Sequence, residues 1–121
     1  MDKILVVDDD RDILTVVEIL LGMNNYSVRT TSRWQQINDE IKTFSPDLIL
    51  LDVSLGGADG RDICKQLKIS DDTSHIPIIL FSAHHDLVNN IKGCGADGLV
   101  TKPFETSYLL DTIKKNIESN N

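Results

Sequence analysis

The sequence predicts an α/β fold: a three-layer, doubly wound (βα)5 sandwich around a parallel five-stranded sheet of order 2-1-3-4-5. Two patterns predict it. The apolar residues fall into short, nearly continuous runs: Ile4-Leu5-Val6-Val7, Leu48-Ile49-Leu50-Leu51, Ile78-Ile79-Leu80-Phe81 and Leu99-Val100. Runs without alternation suit strands buried on both faces, as in a parallel sheet covered by helices. Between the runs the apolar spacing becomes helical, so strands and helices alternate, and right-handed crossovers then wind helices onto both faces.

The elements follow in order. The first strand is the run ending at Val7. Ile13, Leu14, Val16, Val17, Leu20 and Leu21 predict a helix over 10–23. Tyr26, Val28 and Thr30 alternate with polar residues, the mark of an edge strand with one wetter face. Trp34, Ile37, Ile41 and Phe44 recur at helical spacing and predict a second helix over 33–44, with Trp34 packing on its core stripe. Ser32 is placed to cap it and Pro46 to follow its end. After the third strand, Ile63, Cys64 and Leu67 mark a helix beyond Gly60. After the fourth strand, a short helix over 86–92 ends at Gly93 and Gly95, both suited to left-handed caps. After the fifth, Leu109, Leu110, Ile113 and Ile117 predict a last helix over 106–117, and a polar tail closes the chain.

The 121 residues fit one domain, 1–121, with a core over about 3–118. The net charge of -7 argues against a nucleic-acid surface and against an anionic membrane as partner. No apolar run reaches the length of a membrane span, and Met1-Asp2-Lys3-Ile4 lacks the shape of a signal peptide. Cys64 and Cys94 form no CxxC pair, so they read as two small thiols in a reducing cytoplasm, and the expected location is cytoplasmic.

In a doubly wound sheet, ligands bind beyond the carboxyl ends of the strands. There the sequence carries Asp8-Asp9-Asp10, Asp52, Ser82-Ala83 and Thr101-Lys102-Pro103. The first and third strands are expected neighbours, which brings Asp8, Asp9 and Asp52 to one rim. Clustered carboxylates repel and raise each other's proton affinity, so the cluster calls for a cation. Carboxylates with a backbone carbonyl and waters are what Mg²⁺ prefers. The Ser82 hydroxyl and the Lys102 ammonium complete a cradle for a phosphoryl group.

These residues resemble the receiver domain of two-component response regulators, in the stand-alone, CheY-like form with its flavodoxin-like fold. The resemblance runs from Lys3-Ile4-Leu5-Val6-Val7-Asp8-Asp9-Asp10 through Asp47–Gly60 and Pro77–Ala83 to Gly95–Phe104 and the last helix. It implies Asp52 as phosphoryl acceptor, a carboxylate nucleophile that forms an acyl phosphate. It implies Mg²⁺ held by Asp9 directly, by Asp8 through water, by Asp52 and by the backbone carbonyl of Ser54. Ser82 and Lys102 would hold phosphoryl oxygens, and the Lys102-Pro103 bond would be cis. The donor would be a sensor histidine kinase or a histidine phosphotransfer protein. The target would be a downstream protein, the state a monomer or a phosphorylation-dependent dimer, and the chain a switch with no output domain of its own, not a turnover enzyme.

Two positions depart from the family's pattern, and two more bear on how long a phosphoryl group would survive. Gly56 stands where the family often has Pro, and loosens the loop after Asp52. Leu99 stands where it often has an aromatic residue coupled to the hydroxyl at Ser82. The positions of Ser54 and of His84, near the same mouth, affect dephosphorylation in the family, and small Ser54 would leave the phosphoryl group open to water.

Other readings weigh less. Asp10 alone fits a helix cap. An EF-hand loop starting at Asp8 would need Gly and Glu where Ile13 and Ile19 stand. A haloacid-dehalogenase phosphatase would need a second Asp at Ser54 and a substrate cap. A pseudo-receiver, an interaction module without phosphorylation, would be expected to lose an acid, the hydroxyl or the lysine. His84-His85 read as a solvated loop, with no transition-metal site.

Overall fold

A computed structural model describes residues 1–83 and 93–119. The helix expected over 86–92, with His84 and His85, lies outside the described residues.

Among the described residues the strands and α-helices follow in the order β1 (Lys3–Val7), α1 (Arg11–Met23), β2 (Ser27–Thr31), α2 (Ile37–Phe44), β3 (Leu48–Asp52), β4 (Ser54–Leu55), β5 (Ala58–Asp59), α3 (Gly60–Ile69), β6 (Ile78–Ser82), β7 (Gly98–Thr101) and α4 (Thr106–Ser119). The main sheet has five strands in the order β2-β1-β3-β6-β7. Counting its strands alone, this is 2-1-3-4-5, and every pair is parallel. The fold is flavodoxin-like.

The continuous apolar runs have a direct cause. Successive side chains of a strand point to opposite faces. Leu5, Val7, Ile49, Leu51, Ile78 and Leu80 pack on one face with Ile37, Ile41, Cys64 and Leu67 from α2 and α3. Ile4, Val6, Leu48, Leu50, Ile79, Phe81 and Val100 pack on the other with Leu14, Val17, Leu21, Leu109, Ile113 and Ile117 from α1 and α4. Both faces are covered, so no position in these strands can be polar until the strand ends. At the edge, β2 is half-buried except for buried Thr31, the wetter face that its alternation predicted.

Two local differences from the sequence reading bear on the site. The second helix begins later: Trp34–Gln36 form a 3-10 turn, and α2 starts at Ile37 without a side-chain cap. Ser32 therefore caps neither. The stretch after β3 contains an antiparallel hairpin, β4 with β5, too short for periodicity to reveal. Cys64 and Cys94 are both buried and not joined in a disulfide, and the Cys64 Sγ–H donates to the Cys94 carbonyl at 3.5 Å. Burial and the neighbouring Cys94 push the Cys64 thiol up to about 12, which leaves it inert at neutral pH.

Candidate functional site: a carboxylate cleft at the strand ends

The site is assembled by register. β1 ends beside β3, with Val7 opposite Leu51, and β3 beside β6, with Asp52 opposite Phe81. The first residues past the apolar runs therefore share one rim. Asp8 is completely buried; its Oδ1 accepts from the Asp10 N–H at 3.0 Å and its Oδ2 from Lys102 Nζ at 2.8 Å. Asp10 in turn caps α1, its Oδ1 accepting from the Asp12 N–H at 2.9 Å. Asp52 is 4% exposed, and its Oδ1 accepts from the Ser54 N–H at 3.3 Å. Asp9 is exposed at the mouth.

Lys102 follows β7, and its backbone N–H donates to the Ser82 carbonyl at 2.8 Å, which ties the ends of β6 and β7 together. Its Nζ lies 2.8 Å from Asp8 Oδ2 and 3.4 Å from Asp52 Oδ1. The Lys102-Pro103 peptide bond is cis. Ser82 is buried at the end of β6. A cleft of about 370 Å³ is lined by Asp8, Asp9, Asp52, Ser54, Ser82 and Lys102, among others. The structure thus gathers Asp8, Asp9, Asp52, Ser54, Ser82 and Lys102 in one place. Leu99 stands apart, half-buried against the α3 side of the sheet, and its carbonyl accepts from the Tyr108 hydroxyl at 3.3 Å.

The electrostatics follow from burial. Loss of hydration pushes the Asp52 carboxyl up to about 6; the Asp8 charge adds to this and Lys102 pulls against it. Burial alone would lower the Lys102 ammonium, but the hydrogen bond to Asp8 and the charges of Asp52 and Asp8 outweigh it and raise it. Lys102 is therefore a fixed positive charge at neutral pH. One oxygen from each of Asp8, Asp9 and Asp52 lies within 4.8 Å of the others. With all three ionised and one lysine beside them, the cleft carries two surplus negative charges. The donors are hard oxygens with no His or Cys, so the residues fit a hard divalent cation such as Mg²⁺.

Two site residues escaped the sequence reading. Gly60 opens α3 directly behind Asp52; a Cβ there would collide with the Asp52 carbonyl oxygen and come within 2.9 Å of its carbon. From sequence, a glycine before a helix looks the same whether it serves a cap or a close approach. The helical spacing puts Trp34 on a core stripe, and its ring does pack on the α2 and α3 side. Its indole N–H also donates to the Gly56 carbonyl at 3.2 Å, in the hairpin that walls the cleft.

A doubly wound sheet with an acidic cleft and one lysine at its strand ends places the candidate site at the carboxyl rim of the sheet. Comparisons with known proteins identify the family. The response regulator receiver domain family matches residues 4–114, and the chain belongs to that family. The nisin biosynthesis regulatory protein NisR of Lactococcus lactis subsp. lactis is 37% identical over 119 residues, 96% of this chain and 50% of NisR. The chain therefore spans half the length of that relative. Chemotaxis response regulator CheY4 of Vibrio cholerae superposes with a TM-score of 0.87 at 25% identity, covering 96% of this chain and 98% of that one. The receiver domain of a signal transduction histidine kinase from Syntrophus aciditrophicus gives 0.89 at 26%, covering 98% and 92%. That of a DNA binding response regulator from Colwellia psychrerythraea gives 0.89 at 26%, covering 98% and 99%. The chain is a receiver domain of two-component signalling, a signalling domain. Among the described residues no helix is long and apolar enough to cross a membrane.

Proposed function

We propose that this receiver accepts a phosphoryl group on Asp52, with Mg²⁺ bound, and thereby changes the surface it offers to a partner. One observation carries this: Asp52 sits buried at the strand rim together with Asp8, Asp9 and Lys102. A lone buried carboxylate would have no such company.

Asp8, Asp9, Asp52 and the Ser54 backbone carbonyl would hold the cation. When bound, it supplies positive charge that offsets charge on the phosphoryl oxygens. An Asp52 carboxylate oxygen attacks phosphorus as the P–N bond of a phosphohistidine breaks, and the imidazole leaves with the electron pair. The product is an acyl phosphate. Lys102 pairs with one phosphoryl oxygen and the Ser82 hydroxyl donates to another, so positioning and electrostatics do most of the work. The donor is a sensor histidine kinase or a phosphotransfer protein. β7 and α4 form the described part of the output surface, which meets a downstream protein or a second receiver as a phosphorylation-dependent dimer. The domain works in the cytoplasm, as an acceptor with its own dephosphorylation and no turnover.

Incubation with acetyl phosphate, with and without Mg²⁺, followed by intact mass, tests the reading. The expected result is a Mg²⁺-dependent phosphoryl adduct that is absent in Asp52→Asn. Neither acetyl phosphate nor a histidine kinase producing that adduct would sink it.

A further inference from the structure

The hairpin that follows Asp52 turns through Gly56 and Gly57, with Leu55 paired to Ala58 on either side. Gly57 carries a φ of +87°, open to few residues but glycine. Gly56 lines the carboxylate cleft, and a Cβ on it would stand 3.8 Å from Asp9 Oδ2. Two consecutive glycines have more backbone freedom to lose than any other pair, so this wall of the cleft is entropically costly to hold. The wall nevertheless has an anchor from outside the hairpin. Trp34, half-buried at the start of the 3-10 turn before α2, donates its indole N–H to the Gly56 carbonyl at 3.2 Å. The ring also covers Gly57, whose Cβ, if it had one, would lie 3.9 Å from Nε1.

We infer that Trp34 is a positioning residue for the cleft: its indole N–H pins the Gly56-Gly57 turn, so that the Ser54–Gly56 wall is already in place when a cation arrives. A turn ordered beforehand has less entropy to lose on binding, and affinity rises accordingly. The inference rests on the Mg²⁺ reading of the site. It separates from mere packing, because Trp34→Phe keeps an aromatic ring over the glycines and loses only the N–H.

The test uses amide hydrogen exchange on the metal-free protein, comparing the peptide over 53–60 with β1, in wild type and Trp34→Phe. Taking the ratio removes any global loss of stability. Mg²⁺ affinity is then read from melting temperature against Mg²⁺ concentration. Faster exchange over 53–60 and an affinity about threefold to tenfold weaker, the usual effect of one lost hydrogen bond, are expected. Adding Gly56→Pro to Trp34→Phe should restore both, because proline is favoured just before the positive-φ residue of a type II turn. Unchanged exchange overturns the inference, and so does faster exchange with unchanged affinity. If the wild type takes up no Mg²⁺, the cation reading of the site fails, while the exchange ratio still decides whether Trp34 pins the turn.

Discussion

Asp52 shows how one residue sets two properties in opposition. Its carboxyl is held up at about 6 because burial strips it of water and Asp8 stands beside it. The folded state therefore binds the Asp52 proton more tightly than the unfolded chain. Its contribution to stability is fully present below the unfolded value near 3.8 and is lost as pH rises through about 6. At neutral pH the ionised side chain costs the metal-free fold on the order of 3 kcal/mol. Asp52→Asn should accordingly raise the melting temperature of the metal-free protein at pH 7.5, and raise it about half as much at pH 5. Equal gains at both pH values, or a loss at pH 7.5, would contradict this account. The carboxylate that destabilises the resting fold is the one that the proposed phosphoryl transfer needs ionised, a conflict expected where function sets the residue.

At the scale of elements, the junction from β3 to α3 is the most constrained part of the site. The chain leaves β3 at Asp52, forms the β4–β5 hairpin and returns so closely that the Gly60 N–H donates to the Val53 carbonyl at 2.8 Å. Gly60 has no room for a methyl group, and what it would meet is backbone, which cannot turn aside. We predict that Gly60→Ala destabilises the protein by about 2–4 kcal/mol, as overpacking against fixed atoms does, and weakens Mg²⁺ binding as Asp52 moves. Chemical denaturation checks the first part and Mg²⁺ titration the second. Gly22, with nothing near its Cβ position, is the control: Gly22→Ala should leave stability unchanged or raise it. Periodicity could not see this junction. Its two strands have two residues each, and the 3-10 turn at Trp34–Gln36 interrupts a spacing that otherwise reads as one helix.

At the scale of the whole molecule, a cation in the cleft links binding to folding. Three carboxylates share the rim with one lysine, so a divalent ion relieves repulsion only in the folded state. Mg²⁺ at a hundred times its dissociation constant should add about 2.7 kcal/mol of stability. For a chain of this size that is a rise in melting temperature on the order of 10 °C. The rise should shrink at pH 5, because protons compete for Asp52 below about 6. A melting temperature indifferent to millimolar Mg²⁺ at pH 7.5 would remove the cation from the account. Receivers of the same fold occur in a chemotaxis regulator, a histidine kinase and a DNA binding regulator. The output is therefore a property of surfaces and attached chains, not of the sheet.

Local chemistry in the chain was enough for the sheet order, the two-sided core and the acidic rim. Strands buried on both faces must be continuously apolar, and the first polar residue after each run marks the rim where the sheet ends. Asp8, Asp52 and Ser82 could be found because each directly follows such a run, and Lys102 because it stands one residue further on, after Thr101. Trp34 and Gly60 could not. Their roles depend on contacts with Gly56, 22 residues along the chain from Trp34, and with the backbone of Asp52. Neither contact leaves a period or a spacing in the sequence, because each exists only after the chain has closed into three layers. The protonation of Asp52 belongs with them: how much water it loses, and how near Asp8 and Lys102 come, are matters of packed distance.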